Sequence, residues 1–452
     1  MNNFRPIDRD TGFLLPPSVD EWLPERHLAR FVVEVVAGLD LRSMTGSYRG
    51  SGEAPYHPEL LLGLIIYGYA SGVFSSRKLE RATYDSVAFR FIAANQHPDH
   101  DTIAVFRRRF LAQIAPLFAQ VLCVAREMGV LQLGTVALDG TKIHANACRH
   151  SALSYEHADR IEAQLQAEVA DLLAKAEATD QADVPDGMSV PAELARREQR
   201  LATLARAKAT IEARAKERHA LERAEHEAKL KAREAKTAAT GKKPRGRPPA
   251  APVEGPLPTD QVNLTDQGSR IMPVAGGGFE QCYNAQAAVT AGLLVIAADV
   301  VQAPNDKQQL EPMLGKLADL PDELGTTDAL LADNGYFSES NVNACAAAGI
   351  APLIAMGREA HHPTLDERFA EAPEPPTDPT PLEAMQHRLK TPEGKKLYAL
   401  RKQMPEPVFG IIKSVLGFRQ FLLRGLDNVR GEWTLVTMAW NIKRMFALAG
   451  AN

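Results

Sequence analysis

The chain has 452 residues, which is enough for two or three domains and a sizeable buried core. Its hydrophobic fraction of 45% and charged fraction of 24% are those of an ordinary globular protein. The start of the chain has no apolar signal segment and no run of eighteen apolar residues occurs, so we expect a cytoplasmic protein with no membrane partner. Four widely spaced cysteines, without a C-x-x-C pair, indicate buried free thiols and disfavour disulfides or zinc.

The net charge of −4 hides a strong segregation of charge along the chain. The net charge by segment is 0 for 1–130, −6 for 131–191, +9 for 192–247, −14 for 248–381 and +7 for 382–452. Locally positive surface attracts phosphate backbones whatever the total charge, so nucleic acid remains a possible partner. Carboxylates that hold metal ions would explain part of the acidic middle.

Residues 1–130 have the pattern of a helical domain. Pro58 suits the first position of a helix that stops at Gly72, and a second helix follows with Ser75 or Ser76 as its cap. This pair has the proportions of a helix-turn-helix. Asp101 is expected to cap a long amphipathic helix that ends near Gly129.

An alternation of strands and helices begins after this region. Short apolar, β-branched runs predict strands over 136–143, 282–290, 293–302, 329–336 and 351–356, and helices are predicted over 306–320 and 338–349. With the helical C-terminus, this order predicts an α+β protein with a mixed sheet. The Pro-rich, acidic stretch 357–381 is expected to be a loop.

Residues 151–249 interrupt the sheet pattern. Two helical stretches rich in Ala, Glu, Lys and Arg surround a turn, with Leu194, Leu201, Leu204 and Ile211 at heptad-like steps. We predict an inserted antiparallel helical hairpin, which would serve as a dimer interface, a DNA clamp or a spacer. The predicted domains are therefore 1–130, 131–150 with 250–452, and the insertion 151–249.

Two aspartates stand where buried strands are predicted to end. Asp139 lies in VALDGT and Asp333 in LLADNGY, each after an apolar run and before a glycine turn. The simpler alternative is that both belong only to the chemistry of the turns. In the C-terminal segment Pro407 suits the first turn of a helix and places Glu406 at its start. Lys413 follows seven residues later, on about the same face, where it could reach a DNA phosphate.

The whole chain resembles the DDE-type insertion-sequence transposases. The N-terminal stretch that is similar to theirs reads YHPELLLGLIIYGYASGVFSSRKLE…PDHDTIAVFRRRF. The blocks that resemble their RNase H-like catalytic core are ALDGTKIHANA, MPVAGGGFEQCYNAQAAV, LLADNGYFSE and YALRKQMPEPVFGIIK. The resemblance implies a helical DNA-binding domain followed by an RNase H-like core that carries the helical insertion.

The resemblance also implies the site. It assigns Asp139, Asp333 and Glu406 as catalytic acids that hold Mg²⁺, with Mn²⁺ as a substitute. Tyr398, Arg401 and Lys413 belong to the pattern around the glutamate and imply DNA contact, although four residues separate Arg401 from Glu406 where one branch of the family has three. Asp299 and Glu311 are competitors for the role of the glutamate.

Further basic residues are candidates for DNA contact. FRRRF places Arg107, Arg108 and Arg109 on successive helical faces, so one or two of them are expected at phosphates and the alternative is a solvated face. KKPRGRPP resembles an AT-hook, in which Arg245 and Arg247 would enter a narrow minor groove and Gly246 would allow close approach. The alternative is a flexible basic linker. His97 and His100 in HPDHD are attributed to a loop and helix cap because no further ligand stands at zinc spacing.

The predicted function is DNA transposition: cleavage at the ends of an insertion element and strand transfer into target DNA. The partners would be double-stranded DNA, as terminal inverted repeats and as target, bound by a homodimer. A DNA endonuclease without strand transfer and a non-catalytic DNA-binding protein derived from a transposase are the alternatives.

Overall fold

A computed structural model of the chain describes residues 18–48, 55–179, 190–241, 246–357, 374 and 376–450. Most of the predicted turn over 181–191 and most of the predicted loop over 357–381 lie outside these residues. Two units are distinguished by their internal contacts: Met1–Asn146 with Met272–Gly277 and Cys282–Asn452, and Ala147–Ile271 with Gly278–Gln281. The domain boundaries predicted from the sequence stay a prediction.

The first unit begins with a series of helices. In chain order these are α1 Val19–Trp22, α2 Leu28–Ala37, α3 Arg42–Thr45, α4 Pro58–Ser71, α5 Ser76–Asp85, α6 Val87–Ile92, α7 His100–Phe110 and α8 Ile114–Glu127. Helix α4 starts at Pro58 and ends at Gly72, whose φ of 84° is the left-handed conformation that glycine favours, as the sequence predicts. Apolar side chains cover most of α4, and nearly all of them are buried.

Helices α4 and α5 form the predicted helix pair, with a bend of 95° between them. They pack closely, because a Cβ atom at Gly68 would overlap the side chain of the buried Leu79. The opposite side of α5 exposes Arg77, Lys78 and Arg81. The second helix of this pair therefore presents a basic surface to solvent.

Helix α7 begins two residues earlier than the sequence indicates. Asp99, and not Asp101, is its N-cap, because the Asp99 carboxylate accepts a hydrogen bond from the Thr102 amide at 2.6 Å. A short 3₁₀ turn at Leu111–Gln113 separates α7 from α8. The stretch His100–Glu127 is long and apolar enough to cross a membrane by length and composition, but it buries Phe106 and neighbouring apolar residues as a core helix does.

Strands and helices then alternate. The strands are β1 Gly134–His144, β2 Ala152–Ser154, β3 Gln261–Asn263, β4 Arg270–Pro273, β5 Phe279–Thr290, β6 Val295–Val301, β7 Thr327–Ala332 and β8 Ala351–Ile354. In the second unit α9 Tyr155–Thr179 and α10 Val190–Thr240 follow β2. In the first unit α11 Leu310–Ala318 precedes β7, and α12 Glu339–Ala347 precedes β8. The strands predicted at 136–143, 282–290, 293–302, 329–336 and 351–356 are thus confirmed, with shifted ends.

The main sheet is mixed. Its order is β4-β5-β1-β7-β8, and β6 also pairs with β5. Strand β5 runs antiparallel to β1 and β6, whereas β1, β7 and β8 are parallel to one another. The path β6-β5-β1-β7-β8, with one reversed strand, is the RNase H-like α+β arrangement that we expected.

The C-terminal part of the first unit is helical. Its α-helices are α13 Pro381–Lys390, α14 Pro392–Ala399, α15 Pro405–Gly410 and α16 Leu426–Ala449. Helix α16 packs against β6, α8 and α4, so it joins the sheet to the N-terminal helices. The indole of Trp433 donates to the Gln286 carbonyl at 3.0 Å, and Asn441 bonds both backbone groups of Val295.

The second unit contains the helical hairpin and the small β2–β3 sheet. Arg197 of α10 pairs with Glu168 of α9, and Lys208, further along α10, pairs with Glu162, which is earlier in α9. The two helices are therefore antiparallel. Of the predicted seam, Leu204 and Ile211 are buried. Ala215 is the next buried residue, and further along α10 the apolar Leu221 and Leu230 are exposed.

The cysteines differ in exposure. Cys282 and Cys345 are buried free thiols, as expected, and Cys123 is half-buried. The expectation is wrong for Cys148, which is exposed because it stands in the segment between β1 and β2.

Candidate active site

The sheet brings Asp139 and Asp333 together. Strands β1 and β7 are parallel neighbours in which Ala137 lies opposite Leu331. Continuing this register by two residues places Asp139 opposite Asp333. The Asp333 carboxylate also accepts a hydrogen bond from the Gly335 amide at 2.8 Å, so it has the turn role that the sequence allowed. That role does not prevent it from facing Asp139.

Asp139 is a strongly perturbed carboxyl. Its side chain is only 19% exposed and accepts a hydrogen bond from the Gly140 amide at 2.8 Å. Burial raises its pKa from 3.8 to about 6, and the negative charges of Asp333 and Asp306 contribute to this increase. The hydrogen bond from Gly140 and the cation Arg401 act in the opposite direction. Burial and the neighbouring acids therefore outweigh Arg401 and the Gly140 amide in their effect on the pKa of Asp139.

Glu406 is linked to Asp139 through Arg401. Glu406 stands in the first turn of α15, as predicted from the prolines. One guanidinium nitrogen of Arg401 lies 3.7 Å from Asp139 Oδ2, and the other lies 3.5 Å from Glu406 Oε1. Arg401, which is 13% exposed, therefore lies between the carboxylates of Asp139 and Glu406. The structure brings Asp139, Asp333, Arg401 and Glu406 into one region of the first unit.

A fourth acid, Asp306, adjoins this group and was not singled out in the sequence. It precedes α11, and its Oδ1 accepts hydrogen bonds from Asn284 Nδ2 and Gln286 Nε2, both at 2.7 Å. Tyr336 donates its hydroxyl to Gln286 Oε1. The sequence signal that could have pointed to Asp306 is YNAQAAV, in which Asn284 and Gln286 alternate with apolar residues. The two amides therefore share one face of the buried part of β5, where they need a polar partner.

The other two residues of the C-terminal pattern lie nearby in sequence but differ in surroundings. Lys413 Nζ donates to Thr141 Oγ1 at 3.0 Å and to the Lys142 carbonyl at 3.2 Å, which fixes it against β1 just beyond Asp139. Burial lowers the pKa of Lys413. Tyr398 is half-buried on α14.

The competitors of Glu406 have other surroundings. Asp299 on β6 is paired with Arg430 at 3.0 Å and with Lys316 at 3.8 Å, so its charge is already compensated. Glu311 is an exposed residue in the first turn of α11. Glu406, in contrast, is joined to Asp139 by Arg401.

The carboxylates fit a divalent cation by their chemistry. Hard oxygen ligands suit Mg²⁺ or Mn²⁺, and a cation would offset both the burial and the repulsion from Asp333 that raise the pKa of Asp139. Within the part of the chain that the structure describes, no three His, Cys, Asp or Glu side chains are already arranged as a metal cage. Mg²⁺ does not need one, because one or two carboxylates, water and substrate phosphates commonly hold it.

The three arginines of α7 have different environments. Arg107 points inward, where its guanidinium donates to the Tyr69 hydroxyl at 3.1 Å and to the Phe74 carbonyl at 3.2 Å. Arg109 lies over the Tyr48 ring and donates to Ser47. Arg108 is exposed. Arg108 is therefore the member of this group best placed for a phosphate.

The AT-hook-like segment is only partly described. Arg245 lies outside the described residues, whereas Gly246 and Arg247 lie within them. Gly246 has a φ of 107°, which glycine tolerates, and its carbonyl accepts a hydrogen bond from Arg233 at 3.1 Å. Arg247 is exposed. The DNA contact of this segment stays a prediction.

Comparison with known proteins gives two family matches. Residues 17–109 match a family described as "Transposase domain (DUF772)", and residues 377–446 match one described as "Transposase DDE domain". The second match includes Glu406, Arg401 and Lys413. No curated protein and no solved structure matches the chain. The two family matches support an insertion-sequence transposase of the DDE type.

Proposed function

We propose that this transposase cuts DNA at the ends of its insertion element and joins the freed 3′-hydroxyl ends to target DNA. Asp139, Asp333 and Glu406 would hold Mg²⁺, for which Mn²⁺ could substitute. The observation that carries this proposal is the placement of the three acids: Asp139 lies within β1, Asp333 follows the adjacent parallel strand β7, and Glu406 is linked to Asp139 through Arg401.

The chemistry assigned to the site is phosphoryl transfer. Bound divalent cations would activate the attacking oxygen and stabilise the leaving oxygen. The protein's part is to fix the acids: β1 holds Asp139 in a buried position, and the turn after β7 holds Asp333. Arg401 compensates the charges of Asp139 and Glu406 and would be available to a DNA phosphate once cations take over that role. Lys413, beside Thr141, is the second candidate for a phosphate contact.

The transposase family implies DNA binding, and we assign several surfaces to it. The exposed Arg77 and Lys78 of α5, next to Arg81 in its pair with Asp85, form a basic face on the second helix of the helix pair, where recognition helices contact DNA. Further contacts are proposed for Tyr398, for the exposed Arg108 and Arg109, and for the segment Arg245–Arg247, whereas the inward Arg107 is not available for one. We also propose that a homodimer pairs the two terminal inverted repeats, in the cytoplasm and at the nucleoid.

The test is Mg²⁺-dependent cleavage of a plasmid that carries the flanking element ends. Glu406→Gln keeps the size of the side chain and removes its charge. Glu393→Gln is a matched control, because Glu393 also follows a proline in the first turn of a helix, α14, and is exposed. We expect cleavage by the native protein and the control, and none by Glu406→Gln with DNA binding retained.

The remaining outcomes separate the alternatives. Equal cleavage by Glu406→Gln would refute the role of this glutamate. Cleavage without joining, when a pre-cleaved 3′-hydroxyl end is supplied, would indicate an endonuclease. Binding to the element ends with no cleavage by any variant would indicate a DNA-binding protein that has lost catalysis.

A further inference from the structure

A buried polar network lies beneath the middle of β1, on the sheet face opposite the Asp139 side chain. Gln286 of β5 stands opposite Gly140, and successive residues of a strand point to opposite faces of the sheet. Tyr336 donates its hydroxyl to Gln286 Oε1, and Gln286 Nε2 donates to Asp306 Oδ1 at 2.7 Å. The side chains of Tyr336 and Gln286 are fully buried. The network therefore runs from the turn after β7, under β1, to the connection before α11.

The orientation of the Gln286 amide is fixed from both of its ends. The Asp306 carboxylate can only accept, so the amide must present Nε2 to Asp306 and Oε1 to the hydroxyl of Tyr336. Turning the amide over would lose both hydrogen bonds. The backbone carbonyl of Gln286 also accepts from the Trp433 indole at 3.0 Å, so its main chain is held as well. Gln286 is therefore a rigid support for Tyr336.

Tyr336 belongs to the turn that carries Asp333. Asn334–Tyr336 form a 3₁₀ turn directly after Asp333, and the Tyr336 amide donates to the Asp333 carbonyl at 3.2 Å. Asn341 of α12 donates to the Tyr336 carbonyl at 2.6 Å and to the Lys307 carbonyl at 2.7 Å. The turn is thus fixed through the side chain of Tyr336 and through its backbone.

The network contacts the backbone close to each of the two aspartates. A Cβ atom on Gly140, the residue after Asp139, would overlap Gln286 Nε2, so the network packs directly against β1. Tyr336 lies only three residues after Asp333. Fully satisfied buried networks make a structure rigid, and a displacement of about 1 Å at an active site can cost about 100-fold in rate.

We propose that Tyr336 is a positioning residue of the DNA-cutting site. Through Gln286 it fixes the turn after β7 relative to β1, and thereby the placement of the Asp333 carboxylate relative to that of Asp139. The inference rests on the proposed function, because it requires that the two aspartates act together on DNA. Tyr336 is buried on the other face of the sheet, so loss of its hydroxyl should slow cutting and leave DNA affinity unchanged.

The test is the rate at which Tyr336→Phe cuts a plasmid carrying the element ends, at saturating protein, with DNA affinity measured separately. Tyr69→Phe is the matched control, because Tyr69 of α4 is also buried and its hydroxyl donates to the buried Glu432 at 2.9 Å. Each variant loses one buried hydrogen bond. We expect Tyr336→Phe to cut about 10- to 100-fold more slowly at native DNA affinity, and Tyr69→Phe to cut at the native rate.

Hydrogen exchange followed by mass spectrometry, without DNA, gives a readout that does not depend on cutting. The backbone amides of residues 334–337 should exchange at least about tenfold faster in Tyr336→Phe, because the turn loses its side-chain anchor, and at the native rate in Tyr69→Phe. Asn341→Ala removes the backbone anchor of Tyr336 and should give the same pattern. It takes the place of Tyr336→Phe if that variant does not fold.

The outcomes separate this inference from the proposed function. If the native protein cuts the element ends and a folded Tyr336→Phe or Asn341→Ala variant cuts them equally fast, the inference is overturned and the proposed function stands. Slower cutting with native exchange at residues 334–337, or equal slowing in Tyr69→Phe, would also overturn the inference alone. No cutting by the native protein would overturn the proposed function and the inference with it.

Discussion

Replacement of Asp139 by asparagine should stabilise the cation-free protein at neutral pH. The pKa of Asp139 is raised from 3.8 to about 6, so each charged Asp139 costs about 3 kcal/mol of folding stability, at 1.36 kcal/mol for each pKa unit. Asparagine carries no charge, and its side-chain oxygen can still accept the hydrogen bond from the Gly140 amide. The predicted gain is therefore close to the whole cost of the charge.

The raised pKa also determines how the stability difference between the native protein and Asp139→Asn changes with pH. A carboxyl whose pKa is raised in the folded state binds its proton more tightly there than in the unfolded chain. The native protein should then lose stability relative to Asp139→Asn as the pH rises from about 4 through about 6, and the difference should level off above about pH 7. Other titrating groups are common to both proteins and cancel in the comparison.

The assay is urea unfolding of both proteins with EDTA, between pH 4 and pH 8. Asp328→Asn, at an exposed position on β7, is the control and should show no pH-dependent difference. Excess Mg²⁺ at pH 8 should stabilise the native protein more than Asp139→Asn, because binding to the folded state alone raises its stability. A difference between native protein and Asp139→Asn that does not vary with pH would refute the reasoning.

Three further changes test other parts of the structure. Gly140→Ala should destabilise the protein by about 1–3 kcal/mol and slow cleavage, because the new methyl group would meet Asp306 and Gln286; unchanged urea midpoints and rates would contradict this close packing. Tyr69→Phe should lower the stability by about 1–2 kcal/mol in thermal unfolding, because the Tyr69 hydroxyl donates to the buried Glu432 at 2.9 Å and accepts from Arg107; an unchanged melting temperature would argue against this network. Arg77→Ala combined with Lys78→Ala should weaken binding to the element ends and reduce the salt dependence of binding by about two phosphate contacts, as measured by filter-binding titration. The control Arg26→Ala, at an exposed site before α2, should leave both unchanged. Equal salt slopes for the double variant and the native protein would exclude α5 from the interface.

Local signals in the sequence were sufficient for much of the fold, and the three acids stay a prediction. The strand end predicted at Asp139 is wrong, because β1 continues through Asp139 and Gly140 to His144 in its pairing with β5. The apolar run before Asp333 predicts a strand end, and β7 does end at Ala332. The proline after Glu406 likewise marks a helix start. Each of these inferences needs only neighbours in the chain.

The features that the sequence did not reveal depend on distant contacts. Asp306 stands in a connection without a pattern of its own, and it reaches the site because β5 pairs with β1 and presents Asn284 and Gln286 to it. The inward direction of Arg107 is set by Tyr69 on another helix, whereas three consecutive arginines look alike in the sequence. Position in three dimensions, and not residue type, distinguishes these side chains.

The choice of helix cap was a different kind of error. Asp99 and Asp101 both stand before the apolar run, and both are good capping residues. The chain enters the helix at Asp99, which has an extended ψ of 162° and bonds the Thr102 amide. Composition alone cannot choose between two such residues.

The most direct test of the central claim, that these acids are cation ligands of a DNA-cutting site, is a change of ligand chemistry at Asp333. Asp333→Cys replaces a hard oxygen with a thiol, which binds Mg²⁺ poorly and Mn²⁺ better. The account predicts that this variant binds the element ends, fails to cut them with Mg²⁺, and regains cutting with Mn²⁺. Native rates with Mg²⁺, or no recovery with Mn²⁺ in a folded variant that binds DNA, would contradict the role of Asp333 as a cation ligand.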